Sequence, residues 1–154
     1  MWFSSRPSHT YVLLIGVFFG FAVATEEAST ADELIQLLGQ GQVSHVRLPS
    51  SSEYFFESPI APLCSASRSL VTLHGTLSPE CEGLSGLEFQ GSSWCVPRPA
   101  RLHLGSAAAP MVVAAGCTVR LVNIQLTGNG TLIAINAGGS LELFLQSRID
   151  GPIE

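Results

Sequence analysis

Lysine is absent from this 154-residue chain, and charged residues of all kinds make up only 12% of it. The seven basic residues are all arginines, no two of them adjacent, and twelve acidic residues bring the formal net charge to -5. Nucleic acid and anionic membrane surfaces are bound through clustered cations, so we expect neither as a partner. Hydrophobic residues make up 46% of the chain, which is enough to bury a core and is unlike a disordered tail.

The motifs of common catalytic and cofactor sites are also missing. No Gly-x-Ser-x-Gly elbow, phosphate-binding loop or zinc-helix motif occurs, and the lack of lysine excludes a lysine base. The only aspartates, Asp32 and Asp150, are far apart in sequence, and Glu88 and Glu142 stand alone on predicted strands. Calcium sites and glycosidases need grouped carboxylates. We therefore predict a binding or structural protein, no enzymatic activity and no cofactor.

The N-terminal segment 1–24 indicates a cleavable secretory signal peptide. A polar start with one cation, Arg6, precedes the uncharged run Tyr11–Ala24. About 20 helical residues are needed to span a bilayer. This run is shorter and suits a signal peptide, and Ala22-Val23-Ala24 has small residues at the two positions that a signal peptidase reads. We predict a secreted or cell-surface domain at 25–154, with no membrane contact after cleavage. An uncleaved anchor at residues 11–24 is the alternative.

Four cysteines follow the predicted signal peptide: Cys64, Cys81, Cys95 and Cys117. An even number in an exported chain favours two disulfides, and of the three pairings we favour neighbours, Cys64 with Cys81 and Cys95 with Cys117. Buried free thiols are the alternative. No two cysteines have the short spacing of a zinc site.

Asn129-Gly130-Thr131 matches the acceptor pattern for N-glycosylation. We therefore expect a glycan on Asn129 if the host glycosylates exported proteins.

One short helix and a series of short strands are predicted in the mature chain. Thr30 and Glu33 form a capping box, and leucines at helical spacing continue to Leu38, with Gly39 as the expected stop. The later segments alternate apolar and polar residues and are separated by Gly, Ser and Pro, as in strands. They are Val43–Leu48, Leu70–Leu77, Arg101–Leu104, Met111–Ala114, Thr118–Leu126, Thr131–Asn136 and Ser140–Leu145.

Two regular spacings indicate a solenoid. The pattern of Thr118-Val119-Arg120-Leu121 recurs as Ser140-Leu141-Glu142-Leu143, with glycines between the two. Several short strands within each such repeat are typical of parallel coils wound one onto the next. His45, His74 and His103 are equally spaced along the chain, so a column of three imidazoles on one outer face is a weak candidate for a transition-metal site.

Val119–Ile149 resembles the right-handed parallel β-helix of the pectate-lyase-like superfamily, in particular the loosely repeated coils of polymorphic outer membrane proteins. Thr30–Pro49 resembles the start of such helices, where a short amphipathic helix covers the first coil. The resemblance implies an all-β, right-handed parallel β-helix of four to five coils at 43–149, capped by helix 30–38. In β-helix lyases and hydrolases it also implies clustered aspartates and a Lys or Arg base, a pattern that this chain does not match.

Three functions follow as hypotheses. The first is a secreted structural or binding solenoid that contacts polysaccharide or a cell-surface protein, with Tyr54-Phe55-Phe56 and Trp94 either stacking on sugars or packing a loop against the coil. The second is the N-terminal part of a β-helix lyase or hydrolase whose catalytic coils lie beyond Glu154. The third is a small secreted β-sandwich, which a Cys64–Cys117 disulfide would favour. Because a strand precedes Glu154 and no second cap follows it, we expect a fragment of a longer protein or a coil completed by association.

Overall fold

The structure is a computed structural model that describes residues 25–64, 68–77, 81 and 98–154. Within these residues it contains one helix, α1, and eleven short strands. The elements in chain order are β1 Thr25–Glu27, α1 Ala31–Gly39, β2 His45–Leu48, β3 Glu53–Phe56, β4 Leu70–Gly75, β5 Ala100–Leu104, β6 Met111–Val113, β7 Thr118–Val122, β8 Ile124–Gly128, β9 Ile133–Ile135, β10 Ser140–Phe144 and β11 Arg148–Asp150.

The strands form three parallel sheets. Sheet A has the order β1-β2-β4-β7-β10, sheet B the order β3-β5-β8-β11, and sheet C pairs β6 with β9. Every pairing is parallel and joins one turn of the chain to the next. The predicted all-β solenoid is thereby confirmed, with about four turns. The β-sandwich alternative, which needs antiparallel hairpins, is wrong for the described residues.

The repeat found in the sequence is the register of the C-terminal turns. Thr118 pairs with Ser140 and Leu121 with Leu143, as the recurrence predicts. The preceding pairing, of β4 with β7, joins residues more than twice as far apart in sequence, since Leu70 pairs with Thr118. The difference arises because the chain leaves sheet A at Gly75 and enters sheet B only at Ala100.

The interior is built from stacked apolar side chains. Val46, Leu73 and Leu121 occupy one inward position on successive turns and are almost fully buried. Tyr54, Leu102 and Leu126 do the same in sheet B. Burying one such side chain contributes about 2 kcal/mol, so the stacked interior is the main source of stability.

Strand β3 was missed in the sequence. Tyr54 and Phe56 point into the core, whereas Phe55 points out, so the three aromatics form neither a joint platform nor the packing of an external loop. The Tyr54 hydroxyl donates to the backbone carbonyl of Ala28 at 2.7 Å. Trp94 lies outside the described residues, as do residues 1–24 with Arg6 and the predicted cleavage site.

Helix α1 begins as predicted. The amide of Glu33 donates to Thr30 Oγ1 at 3.2 Å, and the Glu33 carboxylate accepts from the amide of Thr30 at 3.2 Å, which completes the capping box. The end differs, because Gly39 is still helical and Gln40 is the C-cap. The left-handed residue is Gly41, with φ 71°.

The helix covers the first turn of the interior. Leu34 and Leu38 are buried in the common core, and α1 lies against β3, the outermost described strand of sheet B. The buried guanidinium of Arg68 donates to the carbonyls of Leu38 at 2.7 Å and Val43 at 2.9 Å, and to that of Leu63. A cation at a helix C-terminus donates hydrogen bonds to the free carbonyls and interacts favourably with the negative end of the helix dipole.

The corner between sheets A and B depends on special backbone positions. Asn123 and Leu145, at equivalent corners of successive turns, both have left-handed backbones with φ of 53° and 55°. Gly75 takes the corner one turn before Asn123, where an added Cβ would lie 2.2 Å from the Asn123 carbonyl oxygen. The Asn123 amide group donates to the Gly75 carbonyl at 3.2 Å, which ties the two corners together.

The predicted cysteine pairing is wrong. Cys64 forms a disulfide with Cys117, with a Cα–Cα distance of 5.8 Å. Cys117 directly precedes β7, and Cys64 lies ahead of β4, which pairs with β7, so stacking of two turns brings the cysteines together. This pairing therefore fits a solenoid and does not require a sandwich. Cys81 is disulfide-bonded as well, and Cys95 lies outside the described residues.

Candidate functional site: the outer face of sheet B

The predicted column of three histidines does not form. His45 and His74 are neighbours on the outer face of sheet A, with ring centroids 5.6 Å apart, but His103 lies on sheet B. The equal spacing of the histidines does not match the turns, because His45 is in register with Thr72 and His74 with Arg47. No group of three potential metal ligands is found among the described residues.

Burial lowers the pKa of both His45 and His74, and the Arg47 guanidinium lowers both pKa values further. Neutral imidazoles are able to ligate a metal, but only two are present here, and the Arg47 guanidinium beside them disfavours a bound cation. The outer face of sheet A therefore gives no support to the metal site.

The outer face of sheet B carries two rows of side chains that run across its strands. Parallel pairing in register aligns Glu53, Arg101, Gln125 and Arg148 in a first row. The same pairing aligns Phe55, His103, Thr127 and Asp150 in a second row. Neighbouring strands are about 4.8 Å apart, so an elongated ligand lying across the sheet would meet an equivalent position at each such step.

Ion pairs and an amide hydrogen bond link side chains within the first row and join that row to the second. Arg101 Nη1 lies 3.3 Å from Glu53 Oε1, and Arg148 Nε lies 2.7 Å from Asp150 Oδ1. Gln125 Nε2 donates to Asp150 Oδ2 at 2.7 Å. The hydrogen bond from Gln125 is the first cause of the lowered pKa of Asp150, and Arg148 adds to it. The contacts orient these long, exposed side chains on the face.

The second row contains an exposed aromatic surface. Phe55 is 59% exposed and stacks on the His103 ring, with centroids 4.5 Å apart and planes 10° apart. His103 Nδ1 and Thr127 Oγ1 share a hydrogen bond of 2.8 Å. The result is a flat apolar surface bordered by hydrogen-bonding groups. Of the predicted aromatic platform, only Phe55 faces outward among the described residues.

Glu53, His103 and Thr127 line up as carboxylate, imidazole and hydroxyl, the order found in a nucleophilic triad. His103 Nε2 is 3.8 Å from Glu53 Oε1, which is beyond hydrogen-bond distance. Strand β8, which carries Thr127, is paired on both sides by β5 and β11, so its backbone amides are taken up by the sheet rather than forming an oxyanion hole. In these two respects the arrangement differs from a nucleophilic triad.

An open cleft lies along the first row, with a volume of about 390 Å³. This falls within the range of small-molecule sites. Its lining is entirely polar except for one proline and contains two cations but no carboxylate. The lining residues are Pro99, Arg101, Gln125, Gln146, Ser147 and Arg148.

The carboxylates considered in the sequence do not meet. Asp32 lies on α1, next to β3, whereas Asp150 lies on β11 at the opposite edge of sheet B. Glu142 accepts from Arg120 at 2.8 Å on sheet A, and Glu88 lies outside the described residues. Asn129 is exposed in the bend after β8, so its predicted glycosylation is sterically open.

The two rows and the cleft were not predicted from the sequence. Their only local signal is the alternation in Glu53–Phe56 and Arg148–Asp150, each too short to be assigned alone. The pairing of Glu53 with Arg101 spans the whole of the long segment between β3 and β5, and no repeat in the sequence reveals it.

Within the described residues, no helix has the length and apolar character needed to cross a membrane. Comparison of the chain with known protein families, curated proteins and solved structures found no significant match.

Proposed function

We propose that this protein is a secreted β-solenoid module that binds polysaccharide on the outer face of sheet B. The observation that carries the proposal is Phe55, more than half exposed and stacked on His103 beside a row of hydrogen-bonding side chains. An aromatic ring with an apolar face and polar surroundings suits the apolar face and hydroxyl rim of a sugar.

The shape of the face supports a polymeric ligand. Equivalent positions recur across four parallel strands, β3, β5, β8 and β11, and offer a guanidinium, amide, hydroxyl or carboxylate in turn. A long ligand makes the same kind of contact repeatedly, and repeated weak contacts on one ligand add to its affinity.

Secretion and the finer family assignment belong to the same proposal. The signal-peptide pattern of residues 1–24 supports export. The all-parallel sheets, together with a short helix ahead of the second turn, support a right-handed β-helix of the pectate-lyase-like kind.

Glycan binding by the exported protein tests the proposal. The full chain is expressed for export, purified and titrated against a panel of soluble neutral and acidic polysaccharides by affinity electrophoresis and calorimetry. Phe55→Ala is expected to weaken binding about tenfold, because stacking and burial of one aromatic ring are worth about 1 to 2 kcal/mol.

Phe144→Ala is the matched control, since Phe144 is 46% exposed on β10 of sheet A. It should bind as the parent chain does. Equal binding by Phe55→Ala and the parent, or a folded parent chain that retains none of the polysaccharides, would refute the proposal.

A further inference from the structure

We propose that the cleft along the first row of sheet B selects acidic polysaccharide by binding its carboxylate or sulfate groups between Arg101 and Arg148. This inference rests on the proposed function and specifies the charge of the ligand. It follows from the lining of the cleft, which holds two guanidiniums and no carboxylate.

The two arginines are held at a fixed separation by the sheet. Arg101 is in register with Gln125, and Gln125 with Arg148, so two strand steps of about 4.8 Å separate the arginines. Gln125 lies between them, with Gln146 and Ser147 beside it. A planar guanidinium fork matches the oxygens of a carboxylate or sulfate, and the neutral amides of Gln125 and Gln146 suit sugar hydroxyls. The Ser147 hydroxyl is taken up by the backbone of the preceding turn.

The existing ion pairs leave the arginines able to bind a ligand. Glu53 contacts Arg101 at 3.3 Å, and Asp150 contacts Arg148 twice, at 2.7 Å through Nε and at 2.9 Å through Nη2. All four side chains are at least one-third exposed. Exposed pairs contribute little free energy, and a guanidinium has five N–H donors, more than either carboxylate engages. An anion in the cleft would therefore add contacts without displacing a buried pair.

The charge of the whole chain shapes the expected behaviour. With a formal net charge of -5, the protein does not attract polyanions from a distance, so binding depends on short contacts in the cleft. These contacts weaken with salt as exposed charges do. A long polycation tract, as used for nucleic acid, is not needed.

The test compares one acidic ligand with its neutral counterpart. An oligosaccharide of uronic acid residues is titrated beside the same oligosaccharide with its carboxyl groups chemically reduced to alcohols. A sulfated oligosaccharide of similar length forms a third arm and shows which anion is preferred. We expect the parent chain to bind an acidic form at least tenfold more tightly than the reduced form at 50 mM salt, and this preference to shrink at 500 mM.

Arg101→Gln and Arg148→Gln remove one charge each and retain hydrogen-bonding groups. Each is expected to weaken binding of the acidic ligand about tenfold, as for loss of a charge-assisted hydrogen bond, and to change binding of the reduced ligand less than twofold. Arg47→Gln, on the outer face of sheet A, makes the same change in net charge and should bind as the parent does.

A variant with the opposite expected sign sharpens the test. Asp150→Asn removes the carboxylate that competes for Arg148 and should tighten binding of the acidic ligand two- to threefold. Circular dichroism of each variant confirms that it is folded.

Equal binding of the acidic and reduced ligands by the parent would overturn this inference and leave the proposed function standing. Failure of the folded parent to bind any of the three would overturn both. Loss of binding in Arg47→Gln as large as in the cleft variants would also overturn it, because net charge alone would then explain the effect.

Discussion

The middle and last described turns of sheet A carry the same inward pattern but bury it differently. Leu73 and Leu121 are 0% and 3% exposed, whereas Leu143, at the same inward position one turn later, is 45% exposed. At the other end, helix α1 buries Leu34 and Leu38 against the core. Burial in a solenoid is therefore decided by the neighbouring turn, because each turn contacts only those beside it.

The two ends also differ in how backbone groups are satisfied. Near α1, the Arg68 guanidinium binds carbonyls of the helix and of two loops. In the last described turn a smaller, part-buried group does this: the Ser147 hydroxyl accepts from the amide of Ile124 at 3.1 Å and donates to the carbonyl of Leu121 at 2.9 Å. The corner residue of that turn, Leu145, is 49% exposed. Local stability should fall from the helix end toward the last turn.

The largest contrast is expected from matched leucine truncations. Leu34→Ala creates a cavity beside α1 and should lower the free energy of unfolding by about 3 kcal/mol. Leu143→Ala removes a side chain that is already half exposed and should cost less than about 1 kcal/mol. Urea unfolding followed by circular dichroism measures both, and equal losses would show that the last turn is as well packed as the first.

The next effect concerns the buried arginine. Arg68→Met leaves three buried carbonyls without their donor and should cost about 2 kcal/mol in urea unfolding. Arg120→Met, which breaks the half-exposed pair with Glu142, should cost less than about 1 kcal/mol. A cost for Arg68→Met no larger than for Arg120→Met would contradict the role of Arg68 in holding the helix.

The two left-handed corners should respond to glycine in opposite ways. Leu145→Gly relieves a conformation that costs a leucine about 1 kcal/mol and loses little burial, so a gain of about 0.5 kcal/mol is expected. Asn123→Gly relieves less strain, because asparagine tolerates the left-handed region better than leucine. It also removes the buried hydrogen bond to the carbonyl of Gly75 and the part-buried one to that of Arg98. We expect a net loss of about 1 kcal/mol. Thermal unfolding of both variants measures the difference, and a shift of the same sign in both would count against this account of the corners.

The smallest expected effect is a pH dependence of the free energy of unfolding that arises from His45 and His74 on sheet A. The pKa values of His45 and His74 lie below their ordinary 6.5 in the folded protein, so the folded state resists their protonation. The stability that the two neutral histidines contribute is fully present above pH 6.5 and is lost as the pH falls through their lowered pKa values. Glu27 and Arg47 lie in the row of His74. The row of His45 continues through Thr72 to Arg120 and Glu142.

Urea midpoints at pH 7.5 and 5.0 measure this effect, a window above the titration of ordinary carboxylates. His74→Gln should show a smaller decrease between the two than the parent chain. Arg120→Gln, on β7 of the same sheet, should show the same decrease in urea midpoint between the two pH values as the parent chain. An unchanged decrease in His74→Gln would show that other groups cause it.

Features set by neighbours in sequence were predictable. The capping box of Thr30 and Glu33 acts within a single helical turn, and the match of Thr118 with Ser140 spans one regular coil without a large insertion. Two predictions that entered or crossed the segment between Gly75 and Ala100 were wrong: His103 was placed beside His74, and Cys64 was paired with Cys81. In both cases the separation in sequence does not predict the distance in space. Chain that lies outside the coil adds residues between one turn and the next, so the number of residues per turn varies.

The sequence by itself determined that short alternating strands would stack in parallel, since apolar residues at every second position must share one interior. Only the tertiary structure decided which outward residues meet. Arg101, Gln125 and Arg148 form one cleft, and Phe55 meets His103, because backbone hydrogen bonds between turns set the register. That register places residues from distant parts of the chain about 4.8 Å from one another, at separations in sequence that no local pattern encodes.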